Sequence, residues 1–255
     1  MKMRNINLAL FSLLLVSLIS IPILCVDRYL SHPDYPWQLV PFGADSLSQT
    51  YKAQYQVMGP QALMTHLADS SKSTAMVLID GWGVPYDEKM LEDDFGIMRG
   101  TNATFAMHKR LLGHTSYAEN VEYRAWFSEG VLISNGDSAE CSKVESEQSL
   151  HFKQTICCEN CNDKQTLSMV DSLIADTAWN KIGWSVYGTR EGAREKLHSL
   201  LRGLAGIANK HPETQFIVQG THRPILGAPE TRRKYLAPWV PAVFINCGLK
   251  ESGEK

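Results

Sequence analysis

Three stretches of this chain carry side chains whose types and spacing could do chemistry. The first is Ala75-Met-Val-Leu-Ile-Asp80-Gly-Trp-Gly83, an unbroken apolar run ending on a carboxylate, with Gly81 and Gly83 able to turn the backbone sharply. A buried strand that ends this way puts Asp80 at the edge of an open α/β sheet where ligands and metals gather. Asp80 is read as a metal-binding or catalytic group, with simple capping of the next turn as the other reading. The second stretch is His114-Thr-Ser-Tyr-Ala-Glu119, where Thr115 and Ser116 set two hydroxyls beside a histidine, a setting for nucleophilic chemistry. Ser116 followed three residues later by Glu119 also fits a helix capping box, and the spacing alone favours that cap. The third is Thr221-His222, just past a second apolar run, Gln215-Phe-Ile-Val-Gln219.

Sulfur forms a further group. Cys157, Cys158 and Cys161 crowd together downstream of Cys141. Zinc would need a fourth ligand, from Cys141 or His151, and a thiol-redox use of Cys158-x-x-Cys161 lacks a thioredoxin-like surrounding. Disulfides pinning a loop, with Cys141 joined to one of the three, are the reading for an exported domain. Five of the six cysteines lie beyond residue 26, so one stays single, and Cys247 at the end of an apolar strand is expected to be it. Asp87, Glu88, Glu92, Asp93 and Asp94 form an acidic stretch that matches no known cation loop and reads as a solvated surface.

Export is read from the amino terminus. Leu8 to Val26 contains no charge and follows Lys2 and Arg4. At a helical rise that run is long enough to cross a bilayer core of about 30 Å. No small-x-small cleavage site stands before Cys25, so an uncleaved anchor with its basic end in the cytoplasm is expected; a cleaved signal is the alternative. Of the 25 basic residues, Lys2 and Arg4 lie in this segment, which leaves 23 against 27 acids, a net −4. That balance excludes a nucleic-acid partner. The 44% hydrophobic and 20% charged content fits a globular domain with a substantial core. The organisation expected is an anchor or signal segment at 1–26, a Pro-rich stalk, linker or wrapped segment at 27–57, and a single exported α/β domain at 58–255.

The elements that must position the three stretches follow from periodicity. A short helix is expected after Gly59-Pro60, a loop over Val84–Gly100, and a helix over Thr101–Leu112. Gly130–Ser134 reads as a strand, Leu167–Ala178 as a helix and Ile182–Tyr187 as a strand. Glu195–Ala208 is amphipathic, with Leu197, Leu200, Leu201, Leu204 and Ile207 at three- and four-residue steps. Val240–Asn246 closes the series as a buried strand. Helices alternating with buried strands predict a mostly parallel sheet flanked by helices.

Asp80-Gly-Trp-Gly83, the hydroxyl pair at Thr115-Ser116, the strand ending in Thr221-His222 and Trp239-Val-Pro-Ala-Val-Phe244 together resemble the alkaline phosphatase superfamily of phosphatases, phosphodiesterases, sulfatases and lipid-linked phosphotransferases. The resemblance spans about residues 75 to 246. It implies a divalent metal, zinc first, held by Asp80 and His222. It also implies Thr115, with Ser116 as rival, as nucleophile, and Arg190 or Arg223 facing a small-molecule, lipid or glycan phosphate or sulfate ester. The departures are as plain: Thr221 stands where the family has Asp, only Glu191 is present in the stretch of the second metal's ligands, and no histidine follows His222. Two functions are therefore expected in competition: a membrane-anchored, extracytoplasmic metal-dependent hydrolase or transferase, and a binding or assembly module of the same fold that has lost catalysis. A disulfide-exchange protein ranks below both.

Overall fold

The computed structural model describes Val16 and residues 47–124, 129–135, 138, 141–142, 152–159, 161–176, 178–187, 194–224 and 234–250. The chain divides into two units, 1–38 and 39–255. Of the first, only Val16 is described, so the expected membrane helix lies outside the described residues. Among the described residues no helix is long and apolar enough to cross a membrane.

In the second unit the chain runs through α1 (Gln49–Gln54), β1 (Gln56–Met58), a 3-10 turn (Leu63–His66), β2 (Thr74–Ile79), α2 (Glu88–Gly96), β3 (Ala103–Lys109), α3 (Thr115–Tyr123), β4 (Val131–Asn135) and β5 (Gln154–Cys157). It continues with α4 (Asp163–Ala175), β6 (Lys181–Val186), α5 (Arg194–Lys210), β7 (Gln215–Gly220) and β8 (Trp239–Ile245). The described strands form one eight-stranded sheet in the order β1-β3-β8-β7-β2-β6-β4-β5. Every pairing is parallel except those of β8, which runs antiparallel to β3 and β7. The mostly parallel α/β sheet expected from the alternation is the one observed.

Strand β2 lies at the centre because both of its faces are apolar. Ala75, Val77 and Ile79 enter one core cluster, and Met76 and Leu78 the other. All five are at most 1% exposed. The first cluster takes Leu197, Leu200, Leu201, Leu204 and Ile207 from α5, the stripe read from spacing. Losing one such leucine to alanine costs about 2–5 kcal/mol. The second takes Ala118 and Tyr123 from α3 with Leu63, Met64 and Leu67. Asn162 opens α4 with a capping box, its side chain accepting from Gln165 N and Gln165 accepting from Asn162 N, each at 3.0 Å.

Three expectations are corrected. Residues 103–109 form a strand rather than part of a helix over Thr101–Leu112, because β1 and β8 pair with them on both sides. Of the two readings of 27–57, a stalk or a wrapped segment, the stalk does not hold for its described residues: α1 and β1 are folded onto the domain, with Tyr51 2% exposed and its hydroxyl donating to Pro85 O at 2.7 Å. The loop expected over Val84–Gly100 contains α2, capped by Asp87. The cysteines pair as Cys141–Cys157 and Cys158–Cys161, and Cys247 is unpaired.

Candidate functional site

Strand register alone brings the site together. Ile79 is level with Val186 of β6 on one side and Gly220 of β7 on the other. The next residue of each chain segment therefore forms a row across three strand ends: Tyr187, Asp80, Thr221. The row is held by backbone bonds from Asp80 N to Val186 O, 3.1 Å, and from Thr221 N to Ile79 O, 3.0 Å.

Two loops cross above this row, and glycine lets them. Gly81 sits at φ 69°, a backbone region that other residues rarely adopt. A Cβ on Gly83 would lie 2.6 Å from Arg223 Cα. The turn after Asp80 is tied down by Trp82, whose indole N–H donates to Asp94 Oδ2 at 3.2 Å. Asp94 is 3% exposed and its other oxygen meets Arg194 at 2.7 Å and His198 at 2.8 Å. This member of the acidic stretch is thus a buried anchor for the turn, not part of a solvated surface.

Thr115 is the first residue of α3, and its cap is His114, whose Nδ1 accepts from Tyr117 N at 3.2 Å. The capping box expected from Ser116 and Glu119 is absent, because the helix is capped two residues earlier, at His114. Its start carries Thr115 onto the strand ends. Thr115 Oγ1 donates to Asp80 Oδ1 at 2.5 Å and lies 3.1 Å from Thr221 Oγ1. His222 Nε2 lies 2.8 Å from the same Asp80 oxygen, and its Nδ1 lies 2.6 Å from Arg223 O. His222 is 4% exposed, Asp80 18%. Hydroxyl, carboxylate and imidazole thus converge on one oxygen atom.

Of the other residues singled out, Ser116 follows Thr115 in α3, and it is Thr115 whose hydroxyl meets Asp80. Arg223 adjoins the cluster and orients His222 through its carbonyl. Arg190 and Glu191 lie outside the described residues.

Two neighbours were not singled out as site residues. Glu119, one helical turn beyond Thr115, is 1% exposed and accepts from the Tyr187 hydroxyl. Tyr123, a further turn on, exchanges a hydrogen bond with Ser185 of β6 at 3.0 Å. Burial first, and then the Glu119 charge, push the Tyr187 phenol well above its usual range. The signal in the sequence was the four-residue step from Thr115 to Glu119 and a tyrosine ending an apolar strand.

The metal implied by the resemblance can be tested against this donor set. A catalytic zinc takes three protein ligands among carboxylate, imidazole and thiolate. The cluster offers one carboxylate and one imidazole, with two threonine hydroxyls. Among the described residues no group of three or more His, Cys, Asp or Glu side chains is arranged to hold a metal ion. The imidazole is oriented through Nδ1 on a carbonyl, as metal-ligating histidines commonly are, but the set does not complete a zinc site.

No family model and no curated protein matches the sequence. Among solved structures, a protein in the alkaline phosphatase superfamily from Vibrio parahaemolyticus is similar at 12% identity and a TM-score of 0.48, over 71% of this chain and 61% of that one. The lipoteichoic acid synthase LtaP from Listeria monocytogenes is similar at 8% identity and 0.45, over 79% and 68%. The C-terminal periplasmic domain of EcEptC from Escherichia coli, in complex with Zn, is similar at 10% identity and 0.43, over 73% and 76%. This chain spans 61% of the length of the Vibrio protein.

Proposed function

We propose that the chain is a hydrolase or transferase acting on phosphate or sulfate esters, with Thr115 as its nucleophile. The observation that carries this is the 2.5 Å hydrogen bond from Thr115 Oγ1 to Asp80 Oδ1, made between residues 35 apart in sequence. In the reaction, Asp80 accepts the hydroxyl proton while Thr115 Oγ bonds to phosphorus or sulfur. The ester P–O or S–O bond breaks and the leaving alkoxide takes up a proton. Water or an acceptor alcohol then displaces the group from Thr115. A positioned carboxylate base contributes on the order of 10²–10⁴ in rate. His222, Arg223 and the positive end of α3 stand beside Thr115 for the charged oxygens of the substrate. Asp80 and His222 are the side chains that would face a divalent metal, zinc first, and further donors would be needed to hold it. A small-molecule, lipid or glycan ester outside the cytoplasm fits the disulfides, which belong to an oxidising compartment, and the anchor expected at 1–26.

The inactive-module reading is favoured by one observation, the shortage of strong metal donors around Asp80 and His222 among the described residues. Turnover of 4-nitrophenyl phosphate, bis(4-nitrophenyl) phosphate and 4-nitrophenyl sulfate by the full-length protein, with and without added zinc, separates the two. Activity lost on Thr115→Ala and Asp80→Ala, with a phosphoryl or sulfuryl group trapped on the Thr115 peptide, supports the enzyme. No turnover of any ester, together with no stoichiometric metal, supports the module.

A further inference from the structure

Helix α3 meets the sheet through a repeating set of polar contacts. Thr115 bonds to Asp80 at the end of β2; four residues on, Glu119 bonds to Tyr187 at the end of β6; four further on, Tyr123 bonds to Ser185 within β6. Residues four apart share a helix face, so one face of α3 is tied at three levels to two adjacent strands. Neighbouring residues of a helix are about 100° apart around its axis, so a small rotation of α3 would swing Thr115 away from Asp80. An apolar residue at position 119 would allow that rotation. A buried carboxylate bonded to a phenol opposes it, because turning the helix would break that bond away from water.

We propose that Tyr187 and Glu119 are the positioning pair of this site: their hydrogen bond fixes the rotation and height of α3 and so holds the Thr115 hydroxyl against Asp80. The inference rests on Thr115 being the nucleophile. Tyr187 stands level with Asp80 by strand register, on the side opposite Thr221, so the clamp acts in the same plane as the carboxylate it serves. Neither residue need touch the ester.

The test uses full-length protein, 4-nitrophenyl phosphate and 4-nitrophenyl sulfate, and two readouts. For Tyr187→Phe, kcat is expected to fall about 10- to 100-fold, the scale of a 1 Å misplacement, with KM changed by less than about threefold. Amide hydrogen exchange across Thr115–Tyr123 should accelerate while that of α5 stays as in the wild type. Glu119→Gln keeps a carbonyl acceptor for Tyr187 and should retain slow exchange and most of kcat. Unchanged kcat and exchange in Tyr187→Phe would overturn the proposal. So would acceleration that spreads to α5, which is general destabilisation, or a faster α3 with unchanged kcat. A lower kcat with unaltered exchange overturns it as well, since Tyr187 would then act on the ester directly. If the wild type turns over neither ester, the nucleophile reading fails separately, and exchange in α3 decides the clamp by itself.

Discussion

Gly220 lies directly against the Trp82 carbonyl: a Cβ built on this glycine would come within 1.7 Å of Trp82 O and 2.8 Å of its carbon. The loop after β2 and the end of β7 are interlocked at a distance only a hydrogen atom allows. Gly220→Ala must therefore push Trp82 and, with it, the turn that carries Asp80. The expected cost is at or above the roughly 1–3 kcal/mol of ordinary overpacking, because backbone rather than a flexible side chain must yield. Urea unfolding of the variant against wild type measures it, and an unchanged midpoint would contradict the interlock.

A buried charge cluster under α3 predicts a second cost. Glu122 is fully buried, accepts from Leu63 N at 2.7 Å and lies 3.2 Å from the Arg110 guanidinium, itself 1% exposed. Removing one partner of such a pair strands the other charge. Glu122→Ala is expected to lose about 3–5 kcal/mol. Replacing Arg110 and Glu122 together by apolar residues should lose less than Glu122→Ala alone, measured by the same unfolding midpoint.

Acid should weaken the fold through His108, which is fully buried in β3. Burial first, and then the nearby Arg110 charge, hold its pKa well below the usual 6.5. As pH falls through about 6.5 the unfolded chain takes up a proton that the folded His108 refuses. The stability it contributes is complete above 6.5 and is lost below. Comparing unfolding midpoints at about pH 7.5 and 5.5, the wild type should lose more than His108→Gln. Glu122 is shifted upward from 4.5 by burial and acts in the opposite sense, so the difference between the two proteins, not the wild type alone, isolates His108.

Thiol chemistry gives a simple check on the cysteine pattern. Burial pushes the Cys247 thiol up to about 12. In native protein at neutral pH it should resist iodoacetamide and react promptly in urea, with one of the five cysteines beyond residue 26 alkylated before reduction and five after. Rapid native labelling, or labelling of Cys158 or Cys161 without reductant, would contradict the observed pairing.

Much of this architecture was legible because burial on both faces leaves an unmistakable trace. Ala75–Ile79, Phe216–Val218 and Val240–Ile245 are apolar runs too short for helices, and the α5 leucines keep a helical step. Residues 103–109 misled because Ala106, Met107, Lys109 and Arg110 are good helix formers, and only pairing to β1 and β8, remote in sequence, makes them extended. Asp80 and His222 adjoin the ends of recognisable apolar strands, whereas Thr115 was singled out through the family resemblance, since its spacing alone favoured a helix cap and the strand before it reads as a helix. Glu119 was not, since a polar residue inside a helix looks solvated until the partner 68 residues away is known.

The position of β8 has a consequence for how the protein is made. Among the described strands, β3 is joined in the sheet to β7, β2 and β6 only through β8, the last of them in sequence. Until Trp239–Ile245 arrives, β1 and β3 form one sheet fragment and the other five strands a second. Thr115 follows β3, whereas Asp80 and His222 follow strands of the second fragment, so before β8 pairs the link between Thr115 and Asp80 is made by α3 and not by the sheet. β8 acts as a keystone: among the described strands it alone makes the sheet edge that leads to Thr115 continuous with the strands that lead to Asp80 and His222.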